Sequence, residues 1–209
     1  MLKRPIAASG LAALAIALLA AGSRAADATV AAPATTARVA AAPAALPAGY
    51  TETALAAGLS RPTALAVAPD GRVFIAEQGG TVRLVVGGAL APAPVLALTT
   101  VATGELGLVG LAVAPDFATT PALFVAVTVE QPARHVRIVR YKLDGDVAMP
   151  ETAQTIADLD ALSGSARIGG ALRFGADGML YAATGDGGNG AHAPSLSSTH
   201  GKMLRLRPD

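Results

Sequence analysis

The fold is indicated by residues 62–77, PTALAVAPDGRVFIAE, in which two short runs of β-prone residues flank a Pro-Asp-Gly turn. Leu65 and Val67 alternate with alanines before the turn, and a similar alternation returns after it. An alternation of period two places such side chains on one face of a sheet. The stretch therefore predicts a β-hairpin, and TVRLV at residues 81–85 predicts a third strand.

The same unit returns twice along the chain. Residues 110–117, GLAVAPDF, repeat the approach to the turn, and residues 170–185, GALRFGADGMLYAATG, repeat the whole hairpin. The turns are 46 residues apart between Pro69 and Pro115, and 61 apart between Pro115 and Ala176. Further strands are expected at 94–101, 123–129, 136–143, 152–159 and 203–206.

A four-stranded unit that recurs at this spacing is typical of a β-propeller blade. An all-β fold is therefore predicted over residues 49–209, as a partial β-propeller of about two and a half four-stranded blades. A β-sandwich made of unrelated hairpins is the alternative. The recurrence of one turn chemistry at one place in each unit favours the propeller.

The first 48 residues differ in composition from the rest of the chain. Residues 1–25 begin with Lys3 and Arg4, continue with a charge-free apolar run and end in small residues around Ala25, the pattern of a cleavable signal peptide. An uncleaved anchor is the alternative, because the run approaches the roughly 20 residues that span a bilayer. Residues 26–48 are rich in Ala, Thr and Pro and predict a flexible linker. We therefore expect a periplasmic or secreted protein without a stable membrane span after cleavage.

Composition excludes several classes of function. The sequence has no cysteine, which excludes disulfides, thiol catalysis and a lipid anchor on an N-terminal cysteine. Removing residues 1–25 takes away three of the 16 basic residues and none of the 15 acidic ones, which leaves a nearly neutral chain. Its scattered basic residues form no cluster with interleaved aromatic residues, so nucleic acid is not an expected partner.

Three stretches, taken in order, resemble the glucose/sorbosone dehydrogenase family, the soluble sugar dehydrogenases that use pyrroloquinoline quinone (PQQ). They are residues 59–77, residues 104–117, and residues 169–188 completed by GKMLRL at 201–206. A single Pro-Asp-Gly hairpin occurs in many propellers, whereas the ordered set is specific. It covers the chain from about Gly49 onward.

The resemblance implies a six-bladed propeller that carries PQQ on top of the ring near its axis. It also implies a calcium ion that polarises the quinone, and a histidine base that takes the sugar hydroxyl proton while hydride passes to the quinone. A sugar substrate and an electron acceptor are the expected partners. The family positions for calcium and for most quinone contacts lie beyond Asp209, so no residue here is assigned to a metal. The chain is expected to be incomplete, with self-association through its open blade faces.

Two positions of this chain match the family's site with changed residues. Arg167 stands where the family has its base histidine, directly before the match at residues 168–172, and a guanidinium stays protonated at ordinary pH. Arg167 is therefore expected to bind an anionic group of the cofactor or substrate. Glu105 corresponds, within one residue, to a polar cofactor contact before Gly107, and a solvated loop acid is the alternative.

Other polar residues point to ordinary structural roles. The run DGGNG at 186–190 is expected to form a turn and not a calcium loop, because it lacks regularly spaced acids. His135 is expected to be solvated at a strand start, and His192 and His200 are expected in loops. A serine hydrolase is not indicated, since the sequence has no Gly-x-Ser-x-Gly elbow.

Three functions remain open at this point. The first is an exported PQQ-dependent sugar dehydrogenase-like protein, which oxidises a sugar hydroxyl by hydride transfer to the quinone. The second is a non-catalytic exported propeller that binds a carbohydrate or protein partner, and the third is a calcium-dependent lactonase-like hydrolase. The fold does not separate them. Arg167 at the position of the base favours the second over the first.

Overall fold

The computed structural model describes residues 46–209, and the compact unit within that range is Gly49–Asp209. The predicted signal peptide and nearly all of the predicted linker lie outside the described residues. Within 46–209, no helix is long and apolar enough to cross a membrane.

The regular structure of the described residues consists of strands and two short 3-10 helices. The strands are β1 (Pro62–Val67), β2 (Val73–Glu77), β3 (Thr81–Val86), β4 (Ala89–Leu90), β5 (Leu96–Ala97), β6 (Leu108–Val113), β7 (Ala122–Val129), β8 (His135–Asp144), β9 (Val147–Ala148), β10 (Gln154–Ala161), β11 (Gly169–Phe174), β12 (Leu180–Thr184) and β13 (Met203–Leu206). The 3-10 helices are Pro150–Thr152 and Gly190–His192.

The strands form three antiparallel sheets whose order follows the chain. The first sheet is β1-β2-β3, with the short β4 and β5 both paired to the outer edge of β3. The second is β6-β7-β8-β10 with β9 also on β8, and the third is β11-β12-β13. The inner strand β6 contacts both β1 and β11, so the sheets follow one another as blades. The predicted all-β, partial propeller is confirmed.

Each inner strand begins with the same irregularity. The pairing register shifts at residues 62–64, 108–110 and 169–171, which marks a β-bulge at the start of β1, β6 and β11. The bulges lie side by side: the Thr63 hydroxyl donates to the Leu108 carbonyl at 2.7 Å. The segments that precede the three inner strands therefore come together at one end of the blades.

The hydrophobic core lies between the sheets and not within any one of them. One buried cluster joins the first two sheets and includes Phe74 and Leu111, whereas the other joins the last two and includes Phe124 and Leu172. At the second interface Phe124 meets Phe174 edge to face, with ring centroids 5.0 Å apart. Burial of each large apolar side chain contributes about 1.5–3 kcal/mol, so each blade is stabilised mainly by its neighbour.

The strands β6 and β11 approach each other too closely for side chains at two positions. A Cβ atom on Gly110 would overlap the carbonyl oxygen of Gly170 and would come within 2.9 Å of the Ala126 side chain. Gly170 itself has a φ of 116°, which L side chains rarely adopt. Glycine at both positions therefore sets the distance between the second and third blades.

Two of the predicted strands are shorter or displaced in the structure. The strand expected at 94–101 is reduced to Leu96–Ala97, and Pro94 at the start of the expected range provides no backbone N–H for a ladder. The strand expected at 152–159 begins only at Gln154, since a 3-10 turn with Pro150 at its start precedes it.

The expectation of a solvated His135 is wrong. Its side chain is buried, with Nδ1 2.7 Å from the Ala133 carbonyl oxygen and Nε2 2.9 Å from Asp158 Oδ1. Asp158 also accepts two hydrogen bonds from the Arg137 guanidinium, which holds the pKa of its carboxyl below the usual range, with a smaller contribution from His135. His135 therefore ties the start of β8 to the edge strand β10.

The contact between β6 and β11 predicts a large effect of one methyl group. Gly110→Ala should lower the free energy of unfolding by about 2 kcal/mol or more, since overpacked cores typically lose 1–3 kcal/mol. Gly79→Ala is the matched control, because a Cβ there meets no atom within 4 Å and should change stability by less than about 0.5 kcal/mol. Urea unfolding of both variants measures the difference, and equal losses would contradict the close approach.

The buried imidazole predicts a second stability effect. His135→Leu should cost about 1–2 kcal/mol, because it removes the contacts of the imidazole with Ala133 and Asp158 and leaves the Ala133 carbonyl without its partner. Arg134→Leu, next to it but in an exposed ion pair with Glu130, should cost well under 1 kcal/mol. Chemical unfolding at pH 6 compares the two variants. A similar small loss of stability in both variants would show that His135 does not stabilise the pairing of β8 with β10.

Candidate functional site

Two loops meet at the end of the blades where the inner strands begin. The backbone N–H of Glu105, before β6, donates to the Ser165 carbonyl, before β11, at 2.8 Å. The Glu105 carboxylate reaches further, and its Oε2 accepts from the backbone N–H of Arg167 at 2.6 Å and of Ile168 at 3.4 Å. The two site residues expected from the sequence, Glu105 and Arg167, are therefore in direct contact.

Arg167 has a backbone conformation that is unusual for its residue type. Its φ is 57°, in the left-handed region that costs a non-glycine residue roughly 1–2 kcal/mol. Besides Glu105, Gly187 holds it there by donating its N–H to the Arg167 carbonyl at 3.1 Å. Gly185 leaves no room for a side chain, because its Cβ would overlap the same carbonyl. Residues held in this way cluster at functional sites.

The Arg167 side chain is 60% exposed and forms an ion pair with Asp186, with Nε 2.7 Å from Oδ1. The hydrogen bond from Arg167, and next that from the Gly188 N–H, holds the pKa of Asp186 below its usual range. The same ion pair raises the pKa of the Arg167 guanidinium. Within residues 46–209 only Nε is bonded, so the other guanidinium N–H groups remain as donors for an anion.

The chemistry of Arg167 and Glu105 differs from that of a base and a free acid. A guanidinium that is permanently protonated donates hydrogen bonds and cannot accept a proton. Glu105 already uses one carboxylate oxygen to hold the backbone of Arg167 in place. The arrangement can thus bind and orient an anionic group, with Glu105 fixing the backbone of Arg167 and Asp186 fixing its guanidinium.

The glycine-rich run after β12 forms a turn, as the sequence predicts. Asp186 closes it by accepting the Gly188 N–H on Oδ1 at 2.9 Å and the Asn189 N–H on its carbonyl at 3.2 Å. In the part of the chain that the structure describes, no group of three or more His, Asp or Glu side chains is placed to hold a metal ion.

A pair of stacked imidazoles lies behind this turn. The rings of His192 and His200 are 5.2 Å apart and nearly parallel. His192 Nδ1 lies 3.0 Å from the Asp186 carbonyl, and that oxygen can only accept, so Nδ1 carries a proton. His200 is fully buried, with Nε2 3.2 Å from the Ala161 carbonyl. Both residues lie outside the strands, as expected, but the burial of His200 was not predicted.

Lys202 closes the loop from β12 to β13. Its ammonium donates to three carbonyl oxygens, those of His192 at 2.9 Å, Ala193 at 2.9 Å and His200 at 2.8 Å. All three of its N–H groups are therefore used within the loop. In the sequence, Lys202 stands out only as part of the GKMLRL motif. Its role depends on carbonyl positions that no local pattern specifies.

Comparison with known proteins gives a consistent set of relatives. The family model for glucose/sorbosone dehydrogenase matches residues 59–209. Among curated proteins, the aldose sugar dehydrogenase YliI of Escherichia coli K12 is 30% identical over 153 residues, which cover 71% of this chain and 41% of the relative.

Solved structures agree in fold. An oxidoreductase of Thermus thermophilus, described as a glucose dehydrogenase, has 35% identity and a TM-score of 0.68. The PQQ-bound form of the aldose sugar dehydrogenase of Streptomyces coelicolor has 28% identity and a TM-score of 0.64. Each match covers 74% of this chain and 46% of the other chain, so the chain spans less than half the length of these relatives. Because the family model matches nearly the whole compact unit, this chain belongs to the glucose/sorbosone dehydrogenase family.

Proposed function

We propose that this chain contributes the first blades of an exported, PQQ-dependent aldose dehydrogenase, which oxidises a sugar hydroxyl by hydride transfer to the quinone. Membership of the family supports the sugar dehydrogenase part of the proposal. The relatives named aldose sugar dehydrogenase support the substrate class, and the PQQ-bound structure of one of them supports the cofactor. Export is proposed from the signal-like composition of residues 1–25.

The observation that carries the proposal is the strained, exposed Arg167, fixed by Glu105 and Asp186 at the end of the blades where the inner strands begin. PQQ carries carboxylates, and a guanidinium with unused N–H donors fits one of them. When bound, the quinone supplies the acceptor for the hydride. In this arrangement Arg167 binds and orients the anion, Glu105 fixes the Arg167 backbone, and Asp186 holds the guanidinium in its orientation.

The described residues fit the binding of an anionic cofactor better than they fit the proton abstraction and calcium binding of the family. A base must accept the sugar hydroxyl proton, and Arg167 remains protonated at ordinary pH. No calcium ligand is assigned to residues 46–209, where no suitable cluster of acids and histidines is present. The proposal therefore gives Arg167 a binding role and leaves proton abstraction unassigned.

A non-catalytic propeller is the second candidate, and the same residue favours it. An exposed, permanently charged Arg167 at the position of the base suits the binding of an anionic carbohydrate or protein group without turnover. The two candidates differ in whether replacement of Arg167 by a titratable imidazole produces oxidation.

Cofactor binding is the first test. PQQ should bind the full chain in isothermal titration calorimetry, and Arg167→Leu should weaken binding about tenfold or more, because one charge-assisted hydrogen bond is lost. Arg134→Leu removes an exposed arginine from a different loop and should leave binding unchanged. If PQQ fails to bind, or if both variants bind as tightly as the parent, the proposed role of Arg167 is wrong.

Restoring a base is the second test. Arg167→His should raise the rate of dye reduction with a panel of aldoses, in the presence of PQQ and calcium, by about 100-fold, the usual contribution of general base catalysis. The rate should rise with pH through about 6.5, as the new imidazole loses its proton. Arg167→Gln, which cannot accept a proton, is the control. Tight PQQ binding without turnover in the histidine variant would favour the non-catalytic candidate.

A further inference from the structure

Gln78 is a buried polar residue that directly follows β2 and is only 8% exposed. Its amide Nε2 donates to the Gly104 carbonyl at 2.8 Å and to the Leu106 carbonyl at 2.7 Å. A carbonyl oxygen can only accept, so the amide nitrogen faces both of them and both of its N–H groups are used. The side chain of Gln78 therefore holds the carbonyls of the two residues that flank Glu105.

The backbone of Gln78 fixes the same segment of chain. Its carbonyl accepts the Leu108 N–H at 3.1 Å, and a Cβ atom on Gly107 would overlap that carbonyl oxygen. Leu106 is fully buried between these contacts. The segment 104–108 is thus held by the first blade through both the side chain and the backbone of one residue.

The opposite side of this segment faces the loop that precedes β11. A Cβ atom on Gly104 would come within 2.8 Å of the Ser165 carbonyl oxygen, and the Glu105 N–H donates to the same oxygen at 2.8 Å. The Glu105 carboxylate then accepts the Arg167 N–H. A continuous series of hydrogen bonds therefore runs from Gln78, through the segment that carries Glu105, to Arg167.

Arg61 supports Gln78 at the start of this series. Its carbonyl accepts the Gln78 N–H at 3.0 Å, and its Nη2 donates to the Ala102 carbonyl at 2.8 Å. Within residues 46–209, the non-glycine residues with a left-handed φ are Arg61, at 49°, and Arg167, at 57°. Such conformations persist only where surrounding contacts hold them. Both strained arginines are bonded to the segment 102–106, one at each side of it.

We propose that Gln78 is a positioning residue for the anion site at Arg167. By fixing the carbonyls beside Glu105, it fixes the carboxylate that keeps Arg167 in the conformation in which its guanidinium meets Asp186. Without Gln78, Arg167 spends part of its time in other conformations, and affinity for an anion falls by the fraction of chains that are correctly arranged. The inference rests on the proposed function only for the identity of that anion, a carboxylate of PQQ.

Amide hydrogen exchange of the full chain, followed by NMR, tests the positioning step without a ligand. Gln78→Met removes both donors at a similar side-chain length. It should speed exchange of the Arg167 N–H by about tenfold or more, because local opening becomes easier. Thr152→Val is the matched control, since it removes a side-chain bond to the Met149 carbonyl beyond the end of β8 and should leave this rate unchanged.

An unchanged Arg167 rate in the folded Gln78→Met variant would overturn the proposal, and so would an equal increase in Thr152→Val. Gln78→Asn keeps the amide but withdraws it by one carbon, so it should also speed exchange. This milder variant decides the question if circular dichroism shows that Gln78→Met is unfolded.

Isothermal titration with PQQ tests the link to the anion site. Gln78→Met should raise the dissociation constant about tenfold in the parent chain and less than about twofold in Arg167→Leu, because a positioning residue has little effect once the positioned group is gone. Equal effects in both backgrounds would show that Gln78 does not act through Arg167 and would overturn the proposal. If the parent does not bind PQQ, the proposed function fails, whereas the exchange rates still decide the role of Gln78.

Discussion

Neighbouring blades supply each other's core in this protein. The two buried clusters both lie between successive sheets, and the sheets themselves are single layers with apolar residues on both faces. A single layer cannot remove both faces from water, so its stability depends on how closely the next layer approaches. The facing glycines Gly110 and Gly170 set that distance for the second and third blades. A change at one interface is therefore felt by both sheets that form it.

The position of the site follows from the same packing. The bulged starts of the inner strands lie side by side, which brings together loops that are distant in sequence. Glu105 and Arg167 are 62 residues apart, yet the carboxylate of one fixes the backbone of the other. Asp186 arrives from the far end of β12 and completes the group. The rigid blades hold Arg167 in a conformation that a mobile loop would leave, and this allows an exposed cation to keep one orientation.

The parts of the structure that could be predicted from the sequence are those with local causes. Period-two alternation and turn chemistry predicted β2, β7, β8 and β13 closely, because both act over a few residues. In the first blade the outer strand is divided into β4 and β5, with two prolines between them that interrupt the ladder on β3. The burial of His135 depends on Asp158 in another strand, and the contact of Glu105 with Arg167 depends on how two blades dock. Such partners are set by tertiary packing, which no single stretch of sequence specifies.

Lys202 places a positive charge among the backbone carbonyls of the loop between β12 and β13. Three carbonyl oxygens converge on its ammonium, an arrangement of acceptors like those that hold metal ions in other loops. Because this cation is part of the chain, it reaches the carbonyls as the loop folds and does not have to bind from solution. Acetylation of the lysine would remove the charge and two of its donors, and would leave the carbonyls facing one another. Lys202 also bonds the carbonyl of His192, whose ring stacks on His200 and bonds the Asp186 carbonyl. The loop therefore connects Lys202 to Asp186, the ion-pair partner of Arg167.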